Sequence, residues 1–484
     1  MPKIPYPAVK RGRPLPRRFP SPPLMSLFYT LVKPPVQLAL RVFFRQLQVR
    51  HPGRLNAEGP LLIAANHPNT LMDPLLVAAH RRQQIASLAK STFFQNPVSR
   101  WFMEVSKCIP VYRRQDAETG DAAETPEEMA RRNEQMFARC YDHLDQGGSL
   151  MIFPEGTSVQ ERRLRPLKTG AARIALGAEA RRNFQLGVRV LPVGLNYSDP
   201  RRFRSDALVN VAEPIRVADY ADLYRHNPEE AADALTEELR RRLESRLVIT
   251  RDDAEDDLVR QVEDTFGQYL VPAHDESATP YDNFRLTRLL LRGLAWLEHH
   301  APNHLTALRQ HLHAYETTLR QHRLSDEALR RGTPQQRAWR GVTTALKLVV
   351  GFPVHVYGVV NNYLPYIIPS MVARRLTKDV EFIAPIMLVT GMLTFGILYP
   401  LQTWLAYRLT HSGWLAGLYL LSLPLTGFFA LNYWNRLADR QERLRLYRLF
   451  RRQPDTVETL FRQRATVLRL LDEARQEYLT ATAE

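Results

Sequence analysis

The sequence predicts an α/β domain with a mixed, largely parallel sheet flanked by helices, followed by a helical region and a C-terminal transmembrane helical hairpin. Three observations carry this reading. Between about 61 and 217, short apolar runs alternate with helical patterns, the order that builds a parallel sheet. Two apolar runs without formal charge, 383–407 and 414–434, lie towards the C-terminus, and each is long enough to span a bilayer. The formal net charge is +16 over 484 residues. Such an excess asks for an anionic partner, whether nucleic acid, an anionic membrane surface or a phosphorylated substrate.

Taken in order, residues 1–22 read as a basic, proline-rich tail without packed structure. No apolar core with a small-residue cleavage site directly follows this basic stretch, so a secretory signal peptide is not expected. Residues 23–49 are apolar but interrupted by Lys33, Pro34 and Pro35. Two short helices lying on a membrane surface fit that break, with Lys33, Arg41 and Arg45 near the headgroups; packing on the following domain is the alternative. The α/β domain occupies 50–217. Its expected strands are 61–65, 85–89, 109–112, 150–153, 188–195 and 208–211, and its expected helices 74–82, 94–106, 126–144 and 171–180. The polar stretch 114–125 reads as a mobile loop.

Residues 218–340 are charged and helical in pattern. Residues 341–372 contain Lys347, His355, Asn361, Asn362 and three prolines; this is a poor span and reads as an interfacial or re-entrant segment. The hairpin fills 383–434, with a short connector at 408–413. Arg374, Arg375 and Lys378 precede it, and Arg436, Arg440, Arg443 and Arg445 follow. The positive-inside rule therefore places both outer ends, and the basic helical tail 435–484, in the cytoplasm. Trp404, Tyr407, Trp414 and Trp434 suit the interfaces. Two cysteines, Cys108 and Cys140, are too few for a disulfide framework and lack metal-ligand spacing.

The chemistry gathers on LLIAANHPNTLMDPLL, residues 61–76. A buried strand delivers His67, and Asp73 follows a short loop later. An aspartate can hold one imidazole nitrogen, fix the tautomer and stabilise the imidazolium formed when the other nitrogen takes a proton. Asp73 followed by Pro74 is also an ordinary helix start, with Asp73 as N-cap. Three further blocks end at strand termini of the same domain, where active sites of this architecture gather. In 108–114, CIPVYRR, a strand leads to Arg113, whose fork of donors can grip phosphate. In 153–158, FPEGTS, Gly156 permits close backbone approach and Thr157 or Ser158 can donate or cap. In 190–195, VLPVGL, a strand carries an apolar face that core packing alone would explain.

Together and in this order the four blocks resemble the PlsC-type glycerophospholipid acyltransferase family, marked by NH…D, then G-x-I-P-V-x-R, then FPEGT or FPEGS, then V-x-P-V-x-L. Pro166, Leu167, Lys168, Thr169 and Gly170 are similar to that family's lysine–glycine segment. The likeness covers about 50–217. Five residues stand between His67 and Asp73 where the family usually has four; the longer spacing resembles a branch of fungal glycerol-3-phosphate and dihydroxyacetone-phosphate acyltransferases. Lys107 stands where the arginine block often has glycine, which puts the backbone path there in question.

The resemblance implies an acyltransferase domain in which His67 and Asp73 are catalytic, while Arg113, Glu155, Gly156, Thr157 and Lys168 bind the substrate. Glu155, itself an anion, is expected to hold a hydroxyl or Arg113 instead of phosphate. The implied reaction moves a fatty acyl group from acyl-CoA or acyl-carrier protein to glycerol-3-phosphate or dihydroxyacetone phosphate, with 1-acylglycerol-3-phosphate (lysophosphatidic acid) as the alternative acceptor. No cofactor, metal or acyl-enzyme is expected, and Cys108 has no evident base to make it a nucleophile. The enzyme would be an integral membrane protein with a cytoplasmic-facing site, working on membrane lipid. Two other classes fit less well. A non-catalytic membrane adaptor would not need all of His67, Asp73, Arg113 and Glu155. A nucleic-acid binder would explain the charge but not the hairpin, so no nucleic acid is expected as partner.

Overall fold

The computed structural model describes residues 23–112, 126–270, 279–330 and 334–483. The tail 1–22, Arg113 and the loop 114–125 lie outside the described residues. Two compact units divide the chain: Met1–Ile249 with Val372–Met392, and Thr250–Met371 with Leu393–Glu484.

The first unit is built on one sheet. Its strands are β1 (Gln46–Arg50), β2 (Leu61–Ala65), β3 (Ile85–Lys90), β4 (Cys108–Val111), β5 (Ser149–Ile152), β6 (Arg189–Tyr197), β7 (Asp206–Val211) and β8 (Ile215–Arg216). They lie in the order β1-β7-β6-β2-β5-β3-β4, with β8 paired to β6. All neighbours are parallel except β6 with β7 and β6 with β8. Every residue of β2 and of β5 is buried, as expected for central strands covered on both faces. Alternate side chains separate cleanly. Leu62, Ala64, Leu150 and Val190 pack with α3 (Pro126–Asp145), α4 (Gly170–Ala180) and α5 (Pro228–Glu244). Leu61, Ile63, Met151, Leu191 and Val193 pack with α1 (Pro23–Phe43), α2 (Met72–His80) and the first turns of the helix Val380–Thr410, through Ala384 and Leu388.

Two expectations for 23–49 are corrected. The segment holds one helix that runs unbroken through Pro34 and Pro35 where two short ones were expected, and its Leu40 and Phe43 pack on the following domain. From one side, four residues apart, Tyr29, Lys33 and Gln37 donate to the carbonyls of Ala78, Arg81 and Ala79. These carbonyls lie at and just beyond the C-terminus of α2, where helical carbonyls run short of backbone donors. Lys33 therefore faces protein, and burial pulls its pKa down. Arg45 pairs with Asp206 at the start of β7. The second correction is β1 itself, which pairs parallel with β7. As an edge strand with polar alternation (QLQVR) it lacks the continuous apolar run that marks β2.

The second unit is helical. α6 (Asp253–Leu270), α7 (Pro280–His300) and α8 (Pro302–His322) share a core with α12 (Pro454–Ala483), built on Phe266, Leu297, Leu312, Tyr315, Leu460 and Val467. Asp326 ties this core by accepting from the Tyr315 hydroxyl and from Arg464. Residues 334–376 form one helix, α9 (Pro334–Leu376), despite three internal prolines. Its polarity is inverted: Asn362 is buried while Val349, Val350 and Val360 are exposed. Asn362 donates to the carbonyls of Gly358 and Leu423 and accepts from the Tyr399 hydroxyl. Asn361 accepts from the Tyr419 hydroxyl, and its carbonyl accepts from Gln402.

The two apolar runs lie on α10 (Val380–Thr410) and α11 (Gly413–Arg452). Val380–Thr410 and Gly413–Trp434 are long and apolar enough to cross a membrane. α11 does not stop at Trp434 but continues into the basic tail.

β6 pairs parallel with β2 and antiparallel with β7 and β8, and Leu191 on it is fully buried. Leu191→Ala should cost roughly 2–5 kcal/mol, read as a lowered melting temperature of purified protein in detergent. An unchanged melting temperature would contradict this packing.

Candidate active site

At the carboxyl end of β2 the chain is pinned by Asn66. Its side chain donates to the Leu195 carbonyl (3.0 Å) and accepts from the Leu195 N–H (2.7 Å), so it extends the β2–β6 ladder by one residue. His67 follows. Its N–H donates to Glu155 Oε1 at 3.0 Å, and its carbonyl accepts from Val159 at 3.1 Å. The ring lies flat against Phe153, with centroids 3.8 Å apart and planes 12° apart. With backbone and ring both held, Nδ1 stands 2.8 Å from Asp73 Oδ2.

Asp73 is fully buried, whereas the His67 side chain keeps 19% of its surface exposed. Oδ2 of Asp73 also accepts from the Asn69 N–H at 2.8 Å, and Oδ1 accepts from the Tyr197 hydroxyl at 2.6 Å. An ionised carboxylate only accepts, so the neutral imidazole carries its proton on Nδ1 and presents the Nε2 lone pair. Asp73 lies in the first turn of α2, and that helix starts at Met72 without a side-chain cap. Its oxygens bond back to the loop and across to β6. The N-cap alternative therefore does not describe this residue, and a negative charge is well placed at that helix end.

Glu155 follows β5. Oε1 takes the His67 amide and Oε2 the Arg165 amide, so both oxygens are spent on main chain. Burial pushes its carboxyl above the usual range, and the two amides oppose that shift. Gly156 has φ +77°, and a Cβ there would stand 2.7 Å from Lys168 Nζ. Lys168 is anchored by its N–H to the Pro154 carbonyl at 2.9 Å. Thr157 is half-buried in the same turn, and Ser158 Oγ accepts from the Thr70 N–H at 3.1 Å.

The structure thus brings His67, Asp73, Glu155, Gly156 and Lys168 together, with Thr157 adjoining. Arg113 lies beyond the described end of β4. Lys107, where the family often has glycine, takes φ +55°, the left-handed conformation glycine favours. Partial burial raises the Cys108 thiol to about 11, which does not suit a nucleophile. Sequence reading missed Tyr197, because the apolar run of β6 ends at Leu195 and the strand extends two residues beyond it.

Residues 46–196 match the family model described as Acyltransferase. They form an acyltransferase domain. Glycerol-3-phosphate O-acyltransferase 1 of Saccharomyces cerevisiae is 37% identical over 102 residues, which is 21% of this chain and 13% of that protein. Glycerol-3-phosphate O-acyltransferase 2 of the same yeast is 38% identical over 108 residues, 22% of this chain and 14% of that protein. The chloroplastic 1-acyl-sn-glycerol-3-phosphate acyltransferase BAT2 of Brassica napus is 26% identical over 140 residues, 29% of this chain and 34% of that protein. The matches therefore span a minor part of each relative's length. Among solved structures, the 1-acyl-sn-glycerophosphate acyltransferase PlsC of Thermotoga maritima aligns with a TM-score of 0.32 at 16% identity, over 46% of this chain and 81% of that one.

Within the acyltransferase domain, Glu155 sets a pH dependence. A carboxyl whose folded pKa is raised contributes stability that is complete below its unfolded value and is lost as pH rises through the folded one. The melting temperature of the wild type should therefore fall relative to Glu155→Gln, which cannot ionise, as pH rises from about 4. Parallel melting curves across that range would remove Glu155 as the cause.

Proposed function

We propose that the protein is a membrane-bound O-acyltransferase that moves a fatty acyl group from acyl-CoA or acyl-carrier protein to a hydroxyl of glycerol-3-phosphate or dihydroxyacetone phosphate. The observation that carries this reading is the His67–Asp73 pair, in which a fully buried carboxylate with three donors orients a partly exposed imidazole. The acyltransferase domain and the names of the two yeast relatives support it.

His67 Nε2 takes the proton from the acceptor hydroxyl as its oxygen attacks the thioester carbonyl. The new C–O bond gives a tetrahedral intermediate; the C–S bond then breaks, and the departing thiolate takes the proton from the imidazolium. Asp73 stabilises that imidazolium without itself being protonated. General-base help of this kind contributes roughly 10²–10⁴-fold in rate. Lys168 beside Gly156 supplies a cation where the glycine leaves room for close approach, and Thr157 adds a hydroxyl; with Arg113 these residues hold the phosphate end. Glu155 supports the site from behind by fixing the backbone of His67. The two apolar helices hold the enzyme in the membrane, and the arginines and lysine around 374–378 favour a cytoplasmic site.

The Brassica relative, whose name gives 1-acyl-sn-glycerol-3-phosphate as acceptor, supports a second reading in which lysophosphatidic acid is acylated to phosphatidic acid. Both acceptors offer a hydroxyl and a phosphate. The test is acyl transfer by purified protein in lipid, with palmitoyl-CoA as donor and each acceptor offered separately. Transfer to glycerol-3-phosphate or dihydroxyacetone phosphate that disappears in His67→Ala is the expected result. Transfer to the lysolipid alone would select the second reading. Absence of transfer from palmitoyl-CoA, and then from an acyl-carrier protein, to every acceptor would leave the adaptor.

His67→Ala should abolish turnover in protein that still folds in the membrane, and Asp73→Asn should lower kcat more than it changes KM. Turnover like the wild type in either variant would end the mechanism. Tyr197→Phe removes one donor to the buried carboxylate. A hydrogen bond to a charged group is worth about 1.5–3 kcal/mol, so kcat should fall about 10- to 100-fold. Unchanged kcat would mean that Tyr197 only packs.

A further inference from the structure

The loop between His67 and Asp73 is tied to the first apolar helix by a side-chain hydrogen bond. Thr70 Oγ donates to the Glu381 carbonyl at 2.8 Å. In a regular helix that carbonyl would accept from the N–H four residues on. The residue there is Pro385, which has no N–H to give. The proline is buried and the bond to the Glu381 carbonyl is part-buried, and a carbonyl shielded from water without a donor is costly. The hydroxyl of Thr70 fits this vacancy. Beside it, Gln160 donates to the Val380 carbonyl at 3.3 Å, while Arg201 Nε holds its other end at 2.7 Å.

Thr70 is itself constrained. Its φ is +29°, a conformation that β-branched residues rarely adopt and that persists only where surroundings enforce it. Its N–H goes to Ser158 Oγ in the turn after β5, and Asn69 beside it donates to the Pro200 carbonyl at 2.7 Å. The loop that carries the catalytic pair is thus fastened from three sides, and one of the three is the start of a helix long enough to cross a membrane. Ala384 and Leu388 of that helix lie in the same core as Met72 and Leu76.

We propose that Thr70 is a positioning residue: through the carbonyl that Pro385 leaves free, it makes the first membrane helix the support against which the His67–Asp73 loop is set. The proposal rests on the acyl-transfer reading and deepens it. It gives the long spacing between His67 and Asp73 a purpose, since the loop must reach this helix.

The test uses full-length protein in lipid nanodiscs, with Thr70→Val, Thr70→Ser and the double variant Thr70→Val/Pro385→Ala. Thr70→Val keeps the shape and loses the hydroxyl. It should lower kcat by roughly tenfold or more, leave KM for palmitoyl-CoA nearly unchanged, and speed hydrogen exchange at the amides of 69–73. Thr70→Ser should restore both. In the double variant the backbone N–H regained at position 385 satisfies the Glu381 carbonyl. The melting temperature should recover while kcat stays low, because the tie to the loop is still missing. Recovery of kcat in the double variant would show that the hydroxyl only filled a hydrogen-bond vacancy, and would overturn the proposal; so would wild-type kcat and exchange in Thr70→Val. Hydrogen exchange needs no turnover. If the wild type moves no acyl group yet Thr70→Val loosens 69–73, the acyl-transfer reading fails and the tie stands.

Discussion

A carboxylate withdrawn completely from water is stable only where donors surround it, and Asp73 is such a carboxylate. Its donors come from three different places: the loop amide of Asn69, the ring of His67 and the hydroxyl of Tyr197 on β6. To satisfy them at once, the loop must close back on α2 and β6 must continue past Leu195. Asn66, bonded on both sides to Leu195, sets that alignment before the loop begins. The site geometry thus follows from a solvation requirement at one residue.

The sheet makes this requirement easy to meet. β2, β5 and β6 are parallel neighbours, so their carboxyl ends open on one edge. His67 leaves the first, Glu155 the second and Tyr197 ends the third. Glu155 links two of these exits by accepting the amides of His67 and Arg165. It is part of the scaffold of the site, a role that its position directly after FP in the sequence does not reveal.

Much of this is legible in the sequence. Continuous apolar runs identified the buried strands β2, β5 and β6, and the four blocks placed their residues at one edge. Long uncharged stretches marked the two apolar helices. What escaped notice had weaker local signals. β1 is a polar edge strand whose pairing depends on β7, far along the chain. α1 crosses two prolines because Tyr29, Lys33 and Gln37 fasten it to the end of α2, which no local rule records. Tyr197 and Thr70 matter through partners 124 and 311 positions away, and such long-range bonds leave no periodicity. The break that Pro385 makes in its helix is written in the sequence, but its filling is not.

The asparagine pair of α9 bears on how the apolar helices meet. Among valines and leucines, a carboxamide has few places where all its bonds close. Asn362 finds one between Gly358, Leu423 and Tyr399, and Asn361 another with Tyr419. Sliding either neighbouring helix by a turn would leave these groups facing apolar side chains with no partner, whereas the valines around them would scarcely notice. The two asparagines therefore act as an index mark, fixing the alignment of three helices whose remaining surfaces are too uniform to choose one.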